Sequence, residues 1–484
     1  MNLADALDIH ARARPSHPAL IDGALTLTHA EFAARVRRMA AWLLDLGLPQ
    51  GRPIGICLRD TAQHVVALYG VARAGLPILP MDVRWTTEEQ RNVAEHFGAA
   101  LVLAEPGSPP LPGLRCQPPQ EAGTEAAAAA RFASDPDAPF VLSLSSGTTG
   151  RPKGPLIAHR HFLARFRTHW INLGLNGRDR FVCATPLYFG GGRTFAMSVL
   201  FSGGTLILKP PPCTPEDLVT CVAEQGATSL FLVPTQFRRL LALDDATLAP
   251  LRALNLLFSS GAPLSPEERL AIRDRLCPRF FEYYASTEGG GVSLLTPADL
   301  ATHGETVGRP VFAVEVEVVD AADRPLPPGE TGLLRYRGPA CATAYHRDPE
   351  ASAEAFREGW FYPGDLASLD VEGYVTLRGR QKDMIIRAGI NIHPGDIEAT
   401  LNAHPAVAEC AVLAWPSPEF GEEIAAFVKL AEPCDPEVLL GFARSRLPRP
   451  KWPRAVFIVD DLPRNSAGKV LKRELAPRLP KLAG

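Results

Sequence analysis

The residues best able to do chemistry form one string at 143–154, SLSSGTTGRPKG, directly after the apolar run FVL. Three glycines and five hydroxyl side chains make a loop whose backbone N–H groups and hydroxyls can wrap phosphate oxygens, with Lys153 adding a neutralising charge. The predicted ligand is a nucleotide phosphate. A Walker loop is disfavoured, because that pattern needs Gly before the Lys and Ser or Thr after it, whereas Pro152 precedes Lys153 and Gly154 follows. A plain Gly/Ser turn accounts for many shorter strings of this composition, but poorly for the whole of this one.

Four further strings follow, and with the first they occur in the order and at the distances of the adenylate-forming enzyme superfamily: acyl-CoA synthetases, aryl-CoA ligases, peptide-synthetase adenylation domains and luciferase. The chain resembles that superfamily over nearly its whole length, and in motif form it is most similar to acyl- and aryl-CoA ligases. The resemblance implies that Ser145, Ser146, Gly147, Thr148, Thr149 and Gly150 cradle phosphate beside Lys153. In YYASTE it implies that Tyr284 stacks on adenine, Thr287 bonds the α-phosphate and Glu288 helps hold Mg²⁺, roles that suit an aromatic face, a hydroxyl and a hard carboxylate. Ala285 stands where the family usually has Gly. Taken alone, Thr-Glu is an ordinary helix start with an N-cap.

In GWFYPGDLA the resemblance assigns Asp365 to the ribose hydroxyls, with Arg380 of LRGRQKD as the second ribose contact. An Asp in a turn is otherwise a common structural residue. In PRNSAGKVLK it assigns Lys469 to bridge the substrate carboxylate and the α-phosphate. A cation aimed at two approaching anions is worth roughly 3–4 kcal/mol where water is excluded, although a lysine beside Gly is by default a solvated one. The fifth string, GRQKDMIIRAGINIHPGDIE, resembles the family's domain joint, with Lys382 at the pivot. Rotation there exchanges Lys469 for a face carrying Gly389, past which a pantetheine arm reaches the adenylate. GINIHP resembles ligases that use coenzyme A, and Arg84 in MDVRWT matches a position that meets CoA phosphates in some relatives.

By the same resemblance the acyl pocket draws on residues 186–193, 233–237, 259–263 and 288–292, which include Tyr188, Phe189, Gly190, Gly191, Gly261, Ala262, Gly289 and Gly290. Phe189 replaces a His found in many acyl- and aryl-CoA ligases, and Gly190 replaces the Asp of amino-acid-activating relatives. An α-ammonium group would then lack its partner, and an unpaired buried cation is costly, so amino acids are disfavoured. The glycine triplets at 190–192 and 289–291 are expected to leave a tunnel or slot for an apolar aliphatic or aromatic acid. The implied enzyme is an AMP-forming acid–thiol ligase that uses ATP, Mg²⁺ and coenzyme A. Two alternatives stay open: an acyl-AMP ligase that loads the phosphopantetheine of an acyl carrier protein, and a nucleotide-binding relative without turnover.

These residues need a scaffold, and the chain has the material for one. At 484 residues it exceeds a single core, and 46% hydrophobic with 21% charged residues is ordinary globular usage. Short β-branched runs (FVLSL, FVCAT, TLILK, TSLFLV, ALNLLF) alternate with helical stretches, which predicts an α/β fold: layered, largely parallel sheets flanked by helices, with the site at strand ends. VFAVEVEVV predicts a half-exposed strand, and residues 106–130 a surface connection. The expected division is an N-terminal domain over 1–380, a hinge at 381–383 and a small mobile α+β domain over 384–484. A net charge of −3 without a basic, aromatic-laced run argues against nucleic acid. The N-terminus shows neither signal peptide nor membrane span, so a cytoplasmic protein is expected, with self-association into a homodimer left open. Nine scattered cysteines without a C-x-x-C pair suggest neither a disulfide framework nor a zinc knuckle.

Overall fold

The computed structural model describes residues 2–122, 135–144, 153–464 and 470–480. The chain packs as two units, one formed by Met1–Glu315 with Tyr336–Phe361 and the other by Val316–Arg335 with Tyr362–Gly484.

The first unit is built on a nine-stranded sheet. Its strands are β1 (Pro18–Asp22), β2 (Leu25–Thr28), β3 (Arg180–Cys183), β4 (Thr205–Leu208), β5 (Ser229–Leu232), β6 (Leu256–Ser259), β7 (Phe280–Ser286), β8 (Gly290–Leu295) and β9 (Arg309–Pro310). They lie in the order β9-β8-β7-β6-β5-β3-β4-β1-β2. From β7 to β1 neighbouring strands run parallel, while β2, β8 and β9 join antiparallel at the two sides. The parallel strands are apolar on both faces, as a sheet covered by helices on both sides requires. Phe181, Phe231 and Phe258 point into one core, and their chain neighbours Val182, Leu230 and Leu257 into another.

A second, six-stranded sheet holds Ile54–Cys57, Ile78–Pro80, Leu101–Ala104, Cys116–Gln117, Pro139–Leu142 and Leu156–Ala158. The strand Cys116–Gln117 falls in the stretch read from sequence as surface connection. There, Leu111 is buried in a core cluster, and the Glu121 carboxylate accepts from Arg35 at 2.7–3.0 Å. Strand pairing, one buried leucine and an ion pair thus tie down residues 111–121, and the alanine-rich part after 122 lies outside the described residues.

The strand Glu315–Val319, which belongs to the second unit from Val316 on, alternates as expected, with Val316 and Val318 buried and Glu315 exposed. β10 (Thr331–Arg337) pairs through its first residues with β11 (Asp365–Leu369), which pairs with β12 (Val375–Arg380). A 3-10 turn, Gln381–Asp383, leads to β13 (Ile385–Arg387), β14 (Ile390–Ile392), β15 (Val407–Ser417), β16 (Gly421–Leu430) and β17 (Ala455–Ile458). The last five form a mixed sheet whose core includes Ile385, Val412, Ile424 and Val428. The helices Pro394–Asn402 and Pro436–Arg446 cover it, each begun by a Pro whose missing N–H costs nothing at that position. The nine cysteines are free. No described helix is long and apolar enough to cross a membrane.

Candidate active site

Four of the segments singled out from sequence follow the carboxyl ends of β3, β5, β6 and β7, four consecutive strands of the parallel sheet. Ligands of open α/β sheets collect at that edge. Residues 287–289 form the turn from β7 into the antiparallel β8, so the Thr-Glu pair does not start a helix.

The turn is held from below. Arg165, in the helix His159–Thr168, is 4% exposed and donates to the carbonyls of Thr287 and Glu288, both at 3.0 Å, and of Ala340. Ala342 N also donates to Glu288 O, and Gly289 N donates to Ser286 Oγ, at 2.9 and 2.8 Å. The Glu288 carboxylate is left 8% exposed and accepts from Tyr345 Oη at 3.0 Å. Lys153 Nζ stands 5.7 Å from the centre of that tyrosine ring, so Lys153 and the Glu288 carboxylate share one neighbour. Arg165→Met is expected to lower adenylation about 10- to 100-fold, in the range for groups that position a metal carboxylate. Pyrophosphate exchange at varied Mg²⁺ would check this, since a displaced Glu288 raises the Mg²⁺ requirement.

The loop carrying Ser145, Ser146, Gly147, Thr148, Thr149 and Gly150 lies outside the described residues, as does Lys469. The loop's flanks are fixed: Ser143 N donates to Pro155 O, Ser143 Oγ accepts from Arg193, and His346 N donates to Gly154 O. Arg193 is 1% exposed, and burial, aided by Arg165, pushes its guanidinium down to about 9. Besides Ser143 it donates to the carbonyls of Leu187 at 3.2 Å and Tyr188 at 2.8 Å, linking Ser143 to the 186–193 segment.

In that segment Phe189 caps the helix Gly190–Ser202, and Tyr188 Oη accepts from Arg84, which is itself paired with Asp82. Asp60 holds the segment from the other side, accepting from Leu187 N at 2.7 Å. Burial raises the Asp60 carboxyl to about 6, partly offset by the Leu187 bond. Its neighbour His64, Nδ1 at 3.8 Å, is buried and pushed down to about 4, so it brings no cation at neutral pH. The folded carboxyl thus binds its proton more tightly than the unfolded one. Stability falls as pH rises from 3.8 through about 6, and the full cost is present above that. Asp60→Asn, which keeps an acceptor for Leu187, is expected to be more stable than the parent by about 1–2 kcal/mol near pH 8. The gain should shrink on acidification, and thermal melts across that range would show it.

The glycines divide into two kinds. A Cβ at Gly289 would strike the Tyr336 ring at 2.3 Å, at Gly290 the Arg165 chain at 2.9 Å, at Gly291 the Tyr283 hydroxyl at 1.7 Å and at Gly192 the Pro186 carbonyl at 2.6 Å. Those vacancies are filled by the protein, so they admit close packing and leave no slot. Gly190 has nothing within 4 Å. Gly191 and Gly261 border the Phe189 ring, at 3.1 and 4.0 Å from a built Cβ, with Phe231 and Val233 alongside; Ala262 follows on the same strand-end segment.

In the second unit, Asp365 and Arg380 are register partners on β11 and β12, and Arg380 Nε lies 2.9 Å from Asp365 Oδ1. Lys382 follows in the 3-10 turn, its ammonium lowered by burial first and by Arg380 and Arg473 among its neighbours. Gly389 and Ala388 form the two-residue turn of the β13–β14 hairpin, both with positive φ. On either side of 465–469, Arg464 and Val470 form a bridge and Leu471 N donates to Pro463 O at 2.7 Å.

A family model described as AMP-binding enzyme matches residues 7–346, and one for the AMP-binding enzyme C-terminal domain matches 396–469. The chain belongs to the AMP-binding enzyme family. Within it, a feruloyl-CoA synthase from an Amycolatopsis species is 31% identical over 97% of both chains. A fatty acid–[acyl-carrier-protein] ligase, ScoC of Streptomyces coeruleorubidus, is 30% identical over 98% of this chain and 96% of its own. Among solved structures, ATP-bound MatB from Rhodopseudomonas palustris superposes with a TM-score of 0.88 at 29% identity, covering 99% of both chains. As a member of the AMP-binding enzyme family the chain is an ATP-dependent, acid-activating ligase. Among the described residues no three His, Cys, Asp or Glu side chains cluster to hold a metal. One buried carboxylate, Glu288, fits Mg²⁺ carried mostly by phosphates and water. Arg165, Asp60 and Tyr345 belong to no sequence string, and Arg193, which ends the 186–193 segment, is assigned no role of its own by the resemblance; only long-range contacts show what these residues hold.

Proposed function

We propose that this enzyme activates an apolar aromatic or aliphatic carboxylic acid as its acyl-adenylate, with release of pyrophosphate, and passes the acyl group to the thiol of coenzyme A in the cytoplasm. The observation that carries the acid class is the Phe189 ring standing beside Gly191 and Gly261 at the carboxyl edge of the sheet, with open space at Gly190. An apolar wall and a glycine floor favour a flat or slender apolar body over an ammonium-bearing one. The relatives named for feruloyl-CoA and fatty acids fall in the same class.

ATP supplies the adenylyl group and the pyrophosphate leaving group, and Mg²⁺ offsets the phosphate charge. Lys153 and the hydroxyls of the loop at 145–150 hold the phosphates, Glu288 holds the metal, Thr287 bonds the α-phosphate, and Tyr284 backs the adenine. Asp365 and Arg380 take the ribose hydroxyls. Lys469 shields the attacking carboxylate, and a turn at Lys382 then replaces it by the hairpin bearing Gly389, within a mobile module over 384–484. A pyrophosphate-release screen over benzoates, cinnamates, aliphatic acids and amino acids tests the class. Turnover with amino acids alone would sink it. ScoC supports a second acceptor, an acyl carrier protein. Free coenzyme A separates the two, since adenylate without thioester would assign the carrier.

A further inference from the structure

At the opposite edge of the same sheet, the amino ends of β3, β5, β6 and β7 border a cavity of about 500 Å³ lined by Arg178, Asp179, Asn255 and Arg279, among others. A second cavity of about 320 Å³ shares Gly174 and Asn176 with it and is walled by Trp170, Leu175 and Phe201. Both volumes fall in the range of small-molecule sites. The two differ in chemistry.

In the first cavity, the guanidiniums of Arg178 and Arg279 have no carboxylate partner among the described residues. Arg279 spends Nε on Asn255 O, at 2.5 Å. The one acid of the lining, Asp179, is buried and fully engaged: Oδ1 accepts from Thr228 Oγ1 and Oδ2 from Asn176 N, both at 2.7 Å. Two arginines against one carboxylate leave the cleft net positive.

In the second cavity, Trp170 stacks on Phe201 with ring centres 5.7 Å apart, and Leu175 is buried beside them. The buried indole N–H of Trp170 has no acceptor among the described residues, which is unusual for a group that nearly always finds one. Trp170 sits in a π-helical turn, His169–Leu173, a rare element that is often found where function requires it.

We infer that these adjoining cavities are a second ligand site, for an amphipathic anion whose apolar chain lies on Trp170, Leu175 and Phe201 and whose carboxylate or phosphate head lies between Arg178 and Arg279. The site is separate from the acid-activation edge, because it uses the other ends of the strands. Decanoate and decyl phosphate distinguish the two head groups. Equilibrium dialysis of each against the full chain, with the catalytic pocket saturated by the enzyme's own acid and an ATP analogue, is expected to show saturable binding, and the tighter of the two names the head. In Arg178→Gln/Arg279→Gln, affinity for that ligand should fall at least ~10-fold. Pyrophosphate release with the enzyme's own acid should be unchanged, which separates this site from the catalytic pocket. Trp170→Phe, which keeps an aromatic face of smaller area, provides a conservative second variant and should weaken binding less. Failure of both ligands to saturate the parent protein, or equal affinity in the double arginine variant, would overturn the inference.

Discussion

Lys469→Ala is expected to slow adenylation by about two to three orders of magnitude while leaving conversion of supplied acyl-adenylate to thioester nearly intact. The adenylation step drives a carboxylate oxygen into a phosphate that carries negative charge of its own, and no rearrangement of neutral groups can offset that repulsion as a cation does. In a water-excluded site one well-aimed donor is worth roughly 3–4 kcal/mol. The thioester step has a different electrostatic problem: a thiol attacks a carbonyl, and the leaving group is AMP. The residues on either side of 465–469 are tied together by the Arg464–Val470 bridge. Pyrophosphate exchange reports the first half-reaction, and thioester formation from synthetic acyl-adenylate the second. An equal loss in both would mean that Lys469 supports folding or both steps at once, and the proposed exchange of faces would fail.

The parts of this site legible in the sequence are those whose chemistry is local. The strands were visible because runs such as SLFL and LLFS are apolar without interruption. The helices Pro394–Asn402 and Pro436–Arg446 carry an equally local signal, since a Pro marks the start of each. What could not be read is what distant chain brings together. Arg165 looks like any arginine of a mixed helix until the fold delivers three carbonyls from 122 to 175 residues away. Glycine is ambiguous in the same way. The triplets at 190–192 and 289–291 look alike, yet a missing side chain makes room for whatever approaches: Tyr336, Arg165 and Tyr283 at the second, open space only at Gly190 in the first.

A stability prediction follows from the strand that leads into the YYASTE turn. Glu282 of β7 and Arg269 are each 4% exposed and face each other bidentately, at 2.5 and 2.9 Å, while Arg269 also donates to the carbonyls of Gly304 and Thr306. Burial raises the Glu282 carboxyl, and Arg269 pulls it back. Removing either partner strands the other charge in a dry interior, so Arg269→Met and Glu282→Leu should each cost about 3–5 kcal/mol. The double variant should recover much of that loss, because two apolar side chains of similar volume leave no charge to desolvate. The recovery cannot be complete, since the Gly304 and Thr306 carbonyls still lose their donor. Chemical denaturation of the four proteins closes the cycle. Single variants within about 1 kcal/mol of the parent would show that water reaches the pair, and a double variant as damaged as the sum of the singles would show that the carbonyls, not the ion pair, set the cost.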